Sequence, residues 1–200
     1  LAALAKVLKD LPEGYEHLSF FEDKFVRMAK AVACLQQPEG YWTRSMMDPE
    51  HAPGPETSGT AFFTYGMLWG INNGYLDKDE FMPVVEKAWK YLTKTALQKD
   101  WSVGYVQPIG EKAIPGQVVD AKSTANFGVG AFLLAACEYV RYLEANNNET
   151  RKYWTDMAYR MAAPVLSNMA KGELQKNMIL EVSPNWDNRN KKVADLSWPV

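Results

Sequence analysis

The stretch EDKFVRMAKAVACLQQPEGYWTRSMMDPEHAPGPETSGTAFFTYG, residues 22–66, aligns without a gap on residues 86–130, at an offset of 64 positions. Eight of the 45 aligned positions are identical, whereas ordinary composition would give about three by chance. The identical pairs are Glu22/Glu86, Lys30/Lys94, Gly40/Gly104, Tyr41/Tyr105, Thr60/Thr124, Ala61/Ala125, Phe63/Phe127 and Gly66/Gly130. Self-similarity at a fixed period indicates stacked supersecondary units that bury their apolar faces against one another.

Each unit has the pattern of a helical hairpin with an extended connection. In the first unit, an amphipathic helix is predicted over residues 19–36. A helix that is apolar on nearly every face is predicted to follow a cap at Thr57 or Ser58 and to end near Gly70 or Asn72. In the second unit, the corresponding helices are predicted over residues 79–98 and 123–143. Prolines and glycines keep the connections out of regular structure. The buried stripe of the first helix is predicted to contain Phe21, Phe25, Met28, Ala29, Val32 and Leu35.

These two kinds of helix predict two layers. An amphipathic helix exposes one face to water, whereas a helix that is apolar all round belongs inside an assembly. Thr57 or Ser58 can cap the first inner helix. The matched glycines Gly66 and Gly130 would let inner helices approach closely. We therefore predict an all-α fold, an α/α toroid built from helical hairpins with a repeat of 64 residues.

The composition fits a packed helical protein and argues against several kinds of partner. Hydrophobic residues make up 47% of the 200 positions, enough for a full core. The net charge of −2 gives no electrostatic basis for binding nucleic acid or an anionic membrane. No apolar run reaches the ~18 residues that span a bilayer. Cys34 and Cys137 each fall within a predicted helix, so both are predicted to be buried free thiols.

The helical pattern starts at the first residue without an N-cap before it, and the repeat ends near residue 144. Residues 145–150 are predicted to be a polar linker. Residues 151–200 begin with a helical pattern and become polar and irregular near their end. We therefore predict helical hairpins of an α/α toroid over residues 1–144, then a linker, then the incomplete start of a second module. The chain would then be a piece of a longer or processed protein.

Polar residues at the start of the inner helices are the first candidates for a binding site, because these ends surround one mouth of a toroid. Glu56 and Asp120 are equivalent under the 64-residue offset. Either can cap a helix or contact a polyhydroxylated ligand. The same two roles are open to four hydroxyl side chains, which are Thr57, Ser58, Ser123 and Thr124.

The segment before the proline-rich loop combines aromatic rings with a guanidinium. Trp42 and Arg44 suit a uronic acid, whose ring can stack while its carboxylate takes the bidentate fork. Tyr41 fits core packing at least as well, because it recurs as Tyr105. His51 is predicted to be exposed rather than catalytic. No metal-ligand spacing, cofactor motif, or Ser/His/Asp arrangement is present, so no metal and no cofactor are predicted.

Four segments in order carry a family resemblance: GYW (40–42), ETSGTAFF (56–63), GYLD (74–77) and GVGAFLLA (128–135). Over residues 1 to about 144 the sequence resembles the unsaturated glucuronyl and rhamnogalacturonyl hydrolases of glycoside hydrolase families 88 and 105. The resemblance implies an (α/α)6 barrel, of which this chain would hold the last two or three hairpins. It also implies a bacterial enzyme of polysaccharide breakdown, such as pectin degradation. The tail from about Thr150 resembles the start of a second bacterial α/α-toroid family of uncharacterised function.

The resemblance implies a reaction. Members remove a 4,5-unsaturated uronic acid from oligosaccharides left by polysaccharide lyases: an Asp protonates C4, water adds at C5, and the hemiketal opens and releases the sugar. This differs from the two-carboxylate displacement of ordinary glycosidases. The family's acidic Asp would lie N-terminal to Leu1, so the catalytic residues of this chain are unknown. The family's C-terminal substrate contacts fall near Thr124 and Asn126. The predicted substrate-binding residues are Trp42, Arg44, Glu56, Thr57, Ser58, Thr124 and Asn126.

Two classes of function follow. The first is a glycosidase-type hydrolase, or a part of one, that acts on oligosaccharides with an unsaturated uronic acid end. The alternative is a non-catalytic α/α-repeat fragment with a partial carbohydrate cleft or a protein-interaction surface. Such an open array would expose apolar edges and self-associate. An α/α-toroid epimerase or lyase would need clusters of His with Tyr or Arg, which the sequence does not show. A cytoplasmic and a periplasmic location both fit.

Overall fold

The computed structural model describes residues 1–110, 112–146 and 151–170, which form six α-helices. The helices are α1 (Ala2–Asp10), α2 (Leu18–Ala33), α3 (Thr57–Asn72), α4 (Lys78–Tyr91), α5 (Asn126–Ala145) and α6 (Arg151–Ala170). A π-helical segment, Leu92–Ala96, continues α4. These ranges contain no β-strand, only two isolated antiparallel bridges, Trp42 with Glu56 and Leu97 with Val103. The predicted all-α class is confirmed.

The helices form an inner and an outer layer. Helices α3 and α5 pack extensively on each other, and α1 also packs on α3. Most of α3 is buried, because apolar and small side chains cover all of its sides. From the outside, α2 packs against α1 and α3, and α4 packs against α3. The repeat thus predicts the alternation of inner and outer helices correctly.

The buried stripe of α2 is narrower than predicted. Phe25, Ala29 and Val32 are buried, and Phe21 and Leu35 are partly buried against the core. Met28 is 41% exposed, so its predicted place in the stripe is wrong. At about 100° per residue, position 28 lies about 60° around the helix axis from Phe25, at the edge of the stripe.

The predicted inner helices differ in accuracy. The predicted first inner helix is confirmed by α3, which begins at Thr57 and ends at Asn72. The second inner helix begins at Asn126 rather than at residue 123. The delay has a local cause, because the backbone N–H groups of Lys122 and Ser123 donate to Asp120 Oδ1 and form a turn there. The second outer helix is α-helical only to Tyr91, after which the π-helical segment follows.

The matched glycines have different surroundings. A Cβ at Gly66 would lie 2.7 Å from Cγ of Leu1, so α1 and α3 approach closely there as predicted. A Cβ at Gly130 would meet nothing within 4 Å in the described part of the chain. The predicted role in close helix packing is therefore confirmed for Gly66 and wrong for Gly130.

Cys34 and Cys137 are not joined in a disulfide. Cys137 is buried on α5, as predicted, whereas Cys34 is exposed. Cys34 directly follows the last residue of α2. At about 100° per residue, it lies on the side of the helix opposite to Phe25, the centre of the buried stripe. The prediction of a buried thiol is wrong at this position.

Helix α6 packs against α5 and α4 through aromatic rings. The ring of Trp154 makes edge-on contacts with Trp89 and Tyr139, at centroid distances of 5.1 Å and 5.9 Å. The guanidinium of Arg160 lies 5.7 Å from the centre of the Trp101 ring.

Residues 147–150 of the predicted linker and residues 171–200 of the predicted second module lie outside the described residues. The division of the chain into domains stays a prediction. No helix in the described ranges combines the length and the hydropathy that crossing a membrane requires.

Candidate functional site

The connections between outer and inner helices meet at the beginning of α3. One connection joins α2 to α3, and the other joins the π-helical segment to α5. Groups from both connections and from α4 bond to the first turn of α3. We call this set the α3 N-terminal cluster, which consists of Glu56, Thr57, Ser58, Tyr91 and Gln107.

Glu56 is the N-cap of α3. Its Oε1 accepts hydrogen bonds from Ser58 N, Ser58 Oγ and Gln107 N, at 3.0, 2.8 and 3.2 Å. Its Oε2 accepts from Gly59 N at 2.6 Å. A Cβ at position 59 would stand 3.0 Å from Oε2, so glycine leaves the room that this bond needs. Glu56 is only 3% exposed, and the capping role considered for it is confirmed.

Thr57 and Ser58 do not cap the helix, contrary to the prediction. The Thr57 hydroxyl donates to the carbonyl oxygen of Gly104 at 2.7 Å. Because a hydroxyl has one proton, Thr57 Oγ1 must accept the hydrogen bond that joins it to the Tyr91 hydroxyl at 2.8 Å. Both threonine and tyrosine are buried. The chain of bonds from Tyr91 through Thr57 to Gly104 therefore ties α4, α3 and the second connection together.

The second connection is held from both of its sides. Tyr105 donates its N–H to the carbonyl of Asp120 at 2.7 Å, and its own carbonyl accepts from Thr57 N at 2.8 Å. The next residue, Val106, donates to the carbonyl of Ser123 at 2.8 Å. Tyr105 has a φ of 59°, which residues other than glycine rarely adopt. The bonds on both sides hold the backbone in this conformation.

Replacement of Tyr91 by Phe is expected to reduce the pH dependence of stability in alkaline solution. Burial raises the pKa of the Tyr91 phenol, whereas the same group in the unfolded chain titrates near pH ~10. Above pH ~10 the unfolded chain releases a proton that the folded chain retains, so stability falls as the pH rises. Phe has no such proton. Urea denaturation at pH 8 and pH 11 measures the difference.

The wild-type protein should lose more stability between these two pH values than Tyr91→Phe does. Part of the loss should remain in the variant, because burial also raises the pKa of Tyr41 and Tyr139. At pH 8 the variant should be less stable by about 1 kcal/mol, since it lacks the hydrogen bond to Thr57. Equal losses in the two proteins would contradict the prediction.

Arg44 joins the two connections. Its two terminal nitrogens donate to Gln117, one to the side-chain oxygen at 2.9 Å and one to the carbonyl oxygen at 3.1 Å. Arg44 is partly exposed. A guanidinium has five N–H donors, and these bonds use two of them. Arg44 therefore keeps donors that a carboxylate could take.

Trp42 lies in the core rather than at a surface. It is 1% exposed, its ring packs edge-on against Phe63 at 5.3 Å, and its indole Nε1–H donates to the carbonyl of Val32 at 2.8 Å. Its backbone N–H donates to Thr60 Oγ1 at 3.1 Å. No face of the ring is open to a ligand, so the predicted stacking of Trp42 on a sugar does not fit the structure.

Thr124 and Asn126 are exposed at the start of α5, and Asp120 is exposed in the turn before it. Asp120 and Glu56 are aligned by the repeat, but they occupy different positions relative to the inner helices. Glu56 directly precedes α3, whereas Ala125 is the N-cap of α5 and makes no side-chain bond there. The backbone N–H of Lys122 and the hydroxyl of Ser123 lower the pKa of Asp120. Asp120 thus organises its own turn.

His51 and Tyr41 are the other two residues that the sequence analysis considered. His51 is exposed, as predicted. Tyr41 is partly buried and packs against the ring of Tyr91 at 5.4 Å. No group of three or more His, Cys, Asp or Glu side chains in the described ranges could hold a metal ion.

No pattern in the sequence predicts that Tyr91, Gln107 and Gln117 belong to this region. Tyr91 looks like one more apolar position of an outer helix, and the repeat matches neither glutamine with an identical residue. The one available signal is the pair Tyr41/Tyr105, which marks the segment that contains Gln107. Their partners are 34 to 73 residues away in the sequence, so no local pattern reveals them.

Comparison with known proteins agrees with the fold. Residues 1–143 match the family described as Glycosyl Hydrolase Family 88. An unsaturated 3S-rhamnoglycuronyl hydrolase from Formosa agariphila is 41% identical over 144 residues, which are 72% of this chain and 37% of that protein. A solved structure of a glycosyl hydrolase family 88 protein from Bacteroides vulgatus is 67% identical with a TM-score of 0.69, over 71% of this chain and 41% of that chain.

A second solved structure, named as a polysaccharide lyase, is 73% identical with a TM-score of 0.68, over 72% of this chain and 40% of that chain. The chain therefore spans 37% to 41% of the length of the three proteins. The structural neighbours are α/α toroids, so the prediction that the chain forms part of a toroid is confirmed.

Proposed function

Because the chain belongs to glycosyl hydrolase family 88, we propose that it is part of a glycosidase-type hydrolase that releases a 4,5-unsaturated uronic acid from oligosaccharides. The family match over residues 1–143 carries the proposal. The relative from Formosa agariphila, named as an unsaturated 3S-rhamnoglycuronyl hydrolase, supports this substrate class. The proposed reaction is hydration of the C4=C5 enol ether, after which the hemiketal opens and the sugar leaves.

The described residues support a role in holding the substrate. The N–H donors of Arg44 that Gln117 does not use could bind the uronate carboxylate. The exposed side chains of Thr124 and Asn126 could bond sugar hydroxyls. In this proposal Glu56, Thr57 and Ser58 position the connections around the substrate, because their polar atoms already bond to one another and to the backbone.

The proposed hydration also needs a group that donates a proton to C4. Neither carboxyl group near the inner-helix starts suits this task. Glu56 is buried and accepts four hydrogen bonds, and backbone and hydroxyl donors hold the pKa of Asp120 below its usual value. A general acid needs a raised pKa instead. In keeping with the family resemblance, which implies an acidic Asp N-terminal to Leu1, we propose that the acid belongs to the upstream part of the barrel.

The test compares this chain with a longer polypeptide, in which the upstream part of the Bacteroides vulgatus relative is joined to it. Both are incubated with unsaturated uronyl disaccharides, and the ultraviolet absorbance of the C4=C5 bond is followed. We expect the absorbance to fall with the joined protein and to persist with the 200-residue chain alone. Activity of the chain alone would contradict the upstream position of the acid. A folded but inactive joined protein would contradict the hydrolase proposal.

Arg44→Gln in the joined protein tests the carboxylate contact. We expect KM to rise about tenfold or more, because a charge-assisted bond contributes about 1.5–3 kcal/mol. Lys99→Gln, at an exposed position, is the matched control and should leave KM unchanged. An unchanged KM in Arg44→Gln would contradict the contact.

One observation favours a second activity, since the structure with 73% identity is named as a polysaccharide lyase. The same absorbance separates the two chemistries, because β-elimination creates the C4=C5 bond that hydration consumes. A rise of absorbance with an intact uronate polysaccharide would support a lyase. Absence of both signals in the joined protein would favour the non-catalytic repeat, whose self-association light scattering can measure.

A further inference from the structure

A cavity of about 340 Å³ lies at the C-terminal ends of the inner helices, at the end of α3 opposite to the α3 N-terminal cluster. Small-ligand pockets have volumes of about 300–1,000 Å³, so the cavity is large enough to hold a small molecule. None of the residues considered above for the hydrolase lies on its wall. The wall consists of Lys9, Trp69, Asn72, Asn73, Glu138, Arg141 and Ala145.

A buried carboxylate organises this wall. Glu138 is only 2% exposed. Its Oε1 pairs with Arg141, and its Oε2 accepts from Asn72 Nδ2 at 2.9 Å. The same amide nitrogen donates to the carbonyl of Glu138 at 3.0 Å. A buried charge is tolerated only when it is paired and hydrogen-bonded, so these bonds fix Asn72 and Arg141 in one orientation at the cavity.

Several polar atoms on the wall remain available after these bonds form. Among the described residues, the ammonium of Lys9 has no ion-pair partner, and Arg141 uses one N–H group on Glu138. The side-chain oxygens of Asn72 and Asn73 accept no hydrogen bond from any residue in the described part of the chain, because both amides bond there through their nitrogen atoms. Donors and acceptors therefore stand side by side, which suits a hydroxyl group, since it both donates and accepts.

The charges around the cavity disfavour a strongly anionic ligand. Glu138 offsets one of the two cations, Lys9 and Arg141. The C-terminal ends of α1, α3 and α5 also lie near this wall, and each carries a partial negative charge from its helix dipole. The site is thus close to neutral. Trp69 lines the wall but is only 5% exposed and stacks on Tyr75, so it adds apolar contact rather than a free ring face.

We propose that this cavity is a second carbohydrate site, which binds a neutral sugar residue through Asn72, Asn73, Arg141 and Lys9. The site is separate from the α3 N-terminal cluster and does not depend on catalysis. Its function would be to hold a neutral part of an oligosaccharide at the opposite end of the inner helices.

Titration of the full 200-residue chain with methyl α-L-rhamnopyranoside, a neutral glycoside, tests the proposal by calorimetry and saturation-transfer NMR. A ligand of this size is expected to bind with a Kd on the order of 1 mM. Asn73→Ala and Lys9→Gln should each weaken binding about fivefold or more, and Lys99→Gln should not change it. Circular dichroism establishes that each variant is folded.

Two comparisons make the result specific to this cavity and to this class of ligand. Arg44→Gln should leave the affinity for the glycoside unchanged, whereas a loss of binding would assign the ligand to the region of Arg44 and Gln117 and overturn the proposal. D-glucuronate and inorganic sulfate should bind more weakly than the neutral glycoside. Tighter binding of either anion, or no binding of the glycoside to the unaltered chain, would also overturn the proposal. These outcomes are independent of the hydrolase assay.

Discussion

Replacement of Glu56 by Ala should lower the free energy of unfolding by about 3–5 kcal/mol. The side chain accepts four hydrogen bonds at the start of α3, from three backbone N–H groups and the Ser58 hydroxyl. Bonds to a charged group contribute about 1.5–3 kcal/mol each, and a buried donor that loses its acceptor carries a further penalty. Because Glu56 also accepts from Gln107, the change should loosen the second connection as well. Urea denaturation measures the loss.

Two further variants make this prediction specific. Glu56→Gln should lie between the wild type and Glu56→Ala, because an amide oxygen can replace only one carboxylate oxygen and its NH2 group faces a donor. Asp120→Ala is the matched control, since the repeat aligns Asp120 with Glu56 but the structure leaves it exposed in its own turn. It should cost much less stability than Glu56→Ala. Similar losses in the two alanine variants would contradict the prediction, because the two aligned carboxylates would then contribute equally to stability.

Replacement of Gly40 by Ala should also destabilise the protein by about 2–5 kcal/mol, or prevent folding. Gly40 has a φ of 99°, a conformation that costs a residue with a Cβ about 1–2 kcal/mol. A Cβ would stand closer than 3.0 Å to the carbonyl oxygen of Lys87, which belongs to the backbone of α4 and cannot rotate away. Overpacking of this kind adds about 1–3 kcal/mol. Circular dichroism followed by urea denaturation measures the effect.

Gly74→Ala separates the two contributions. Gly74 has a φ of 75°, and a Cβ there would meet nothing within 4 Å. This variant should lose only the cost of the backbone conformation, about 1–2 kcal/mol. If Gly74→Ala were as destabilising as Gly40→Ala, contact with α4 would have no part in the requirement for glycine at position 40.

Gly40 and Gly104 are an identical pair of the repeat, and the structure gives a physical reason for glycine at both positions. A Cβ at Gly104 would collide with the carbonyl group of Ala121, as one at Gly40 would collide with that of Lys87. Both glycines allow an extended connection to touch a neighbouring backbone. Lys87 and Ala121 align with the different residues Asp23 and Thr57, so the repeat marks the two glycines but not the groups that they contact.

The candidate site was harder to predict than the fold. Arg44, Thr124 and Asn126 lie at or near a surface, where a ligand could reach them. Trp42, chosen for its ring, packs against Phe63 and Val32 instead. A tryptophan next to a loop has the same local sequence whether its ring turns inward or outward, and only the space left by the helices decides between the two.

The sequence by itself determined the helical hairpins, their inner and outer order, and the family. These features depend on short-range periodicity and on residues that recur at a fixed offset, which can be read without coordinates. Only the tertiary structure decided that Glu56 caps α3, that Thr57 bonds to Gly104, and that Asp120 has a different role from Glu56. Hydrogen bonds of this kind join side chains to groups dozens of residues away, and the choice among alternative polar partners depends on which of them the packed helices bring within about 3 Å.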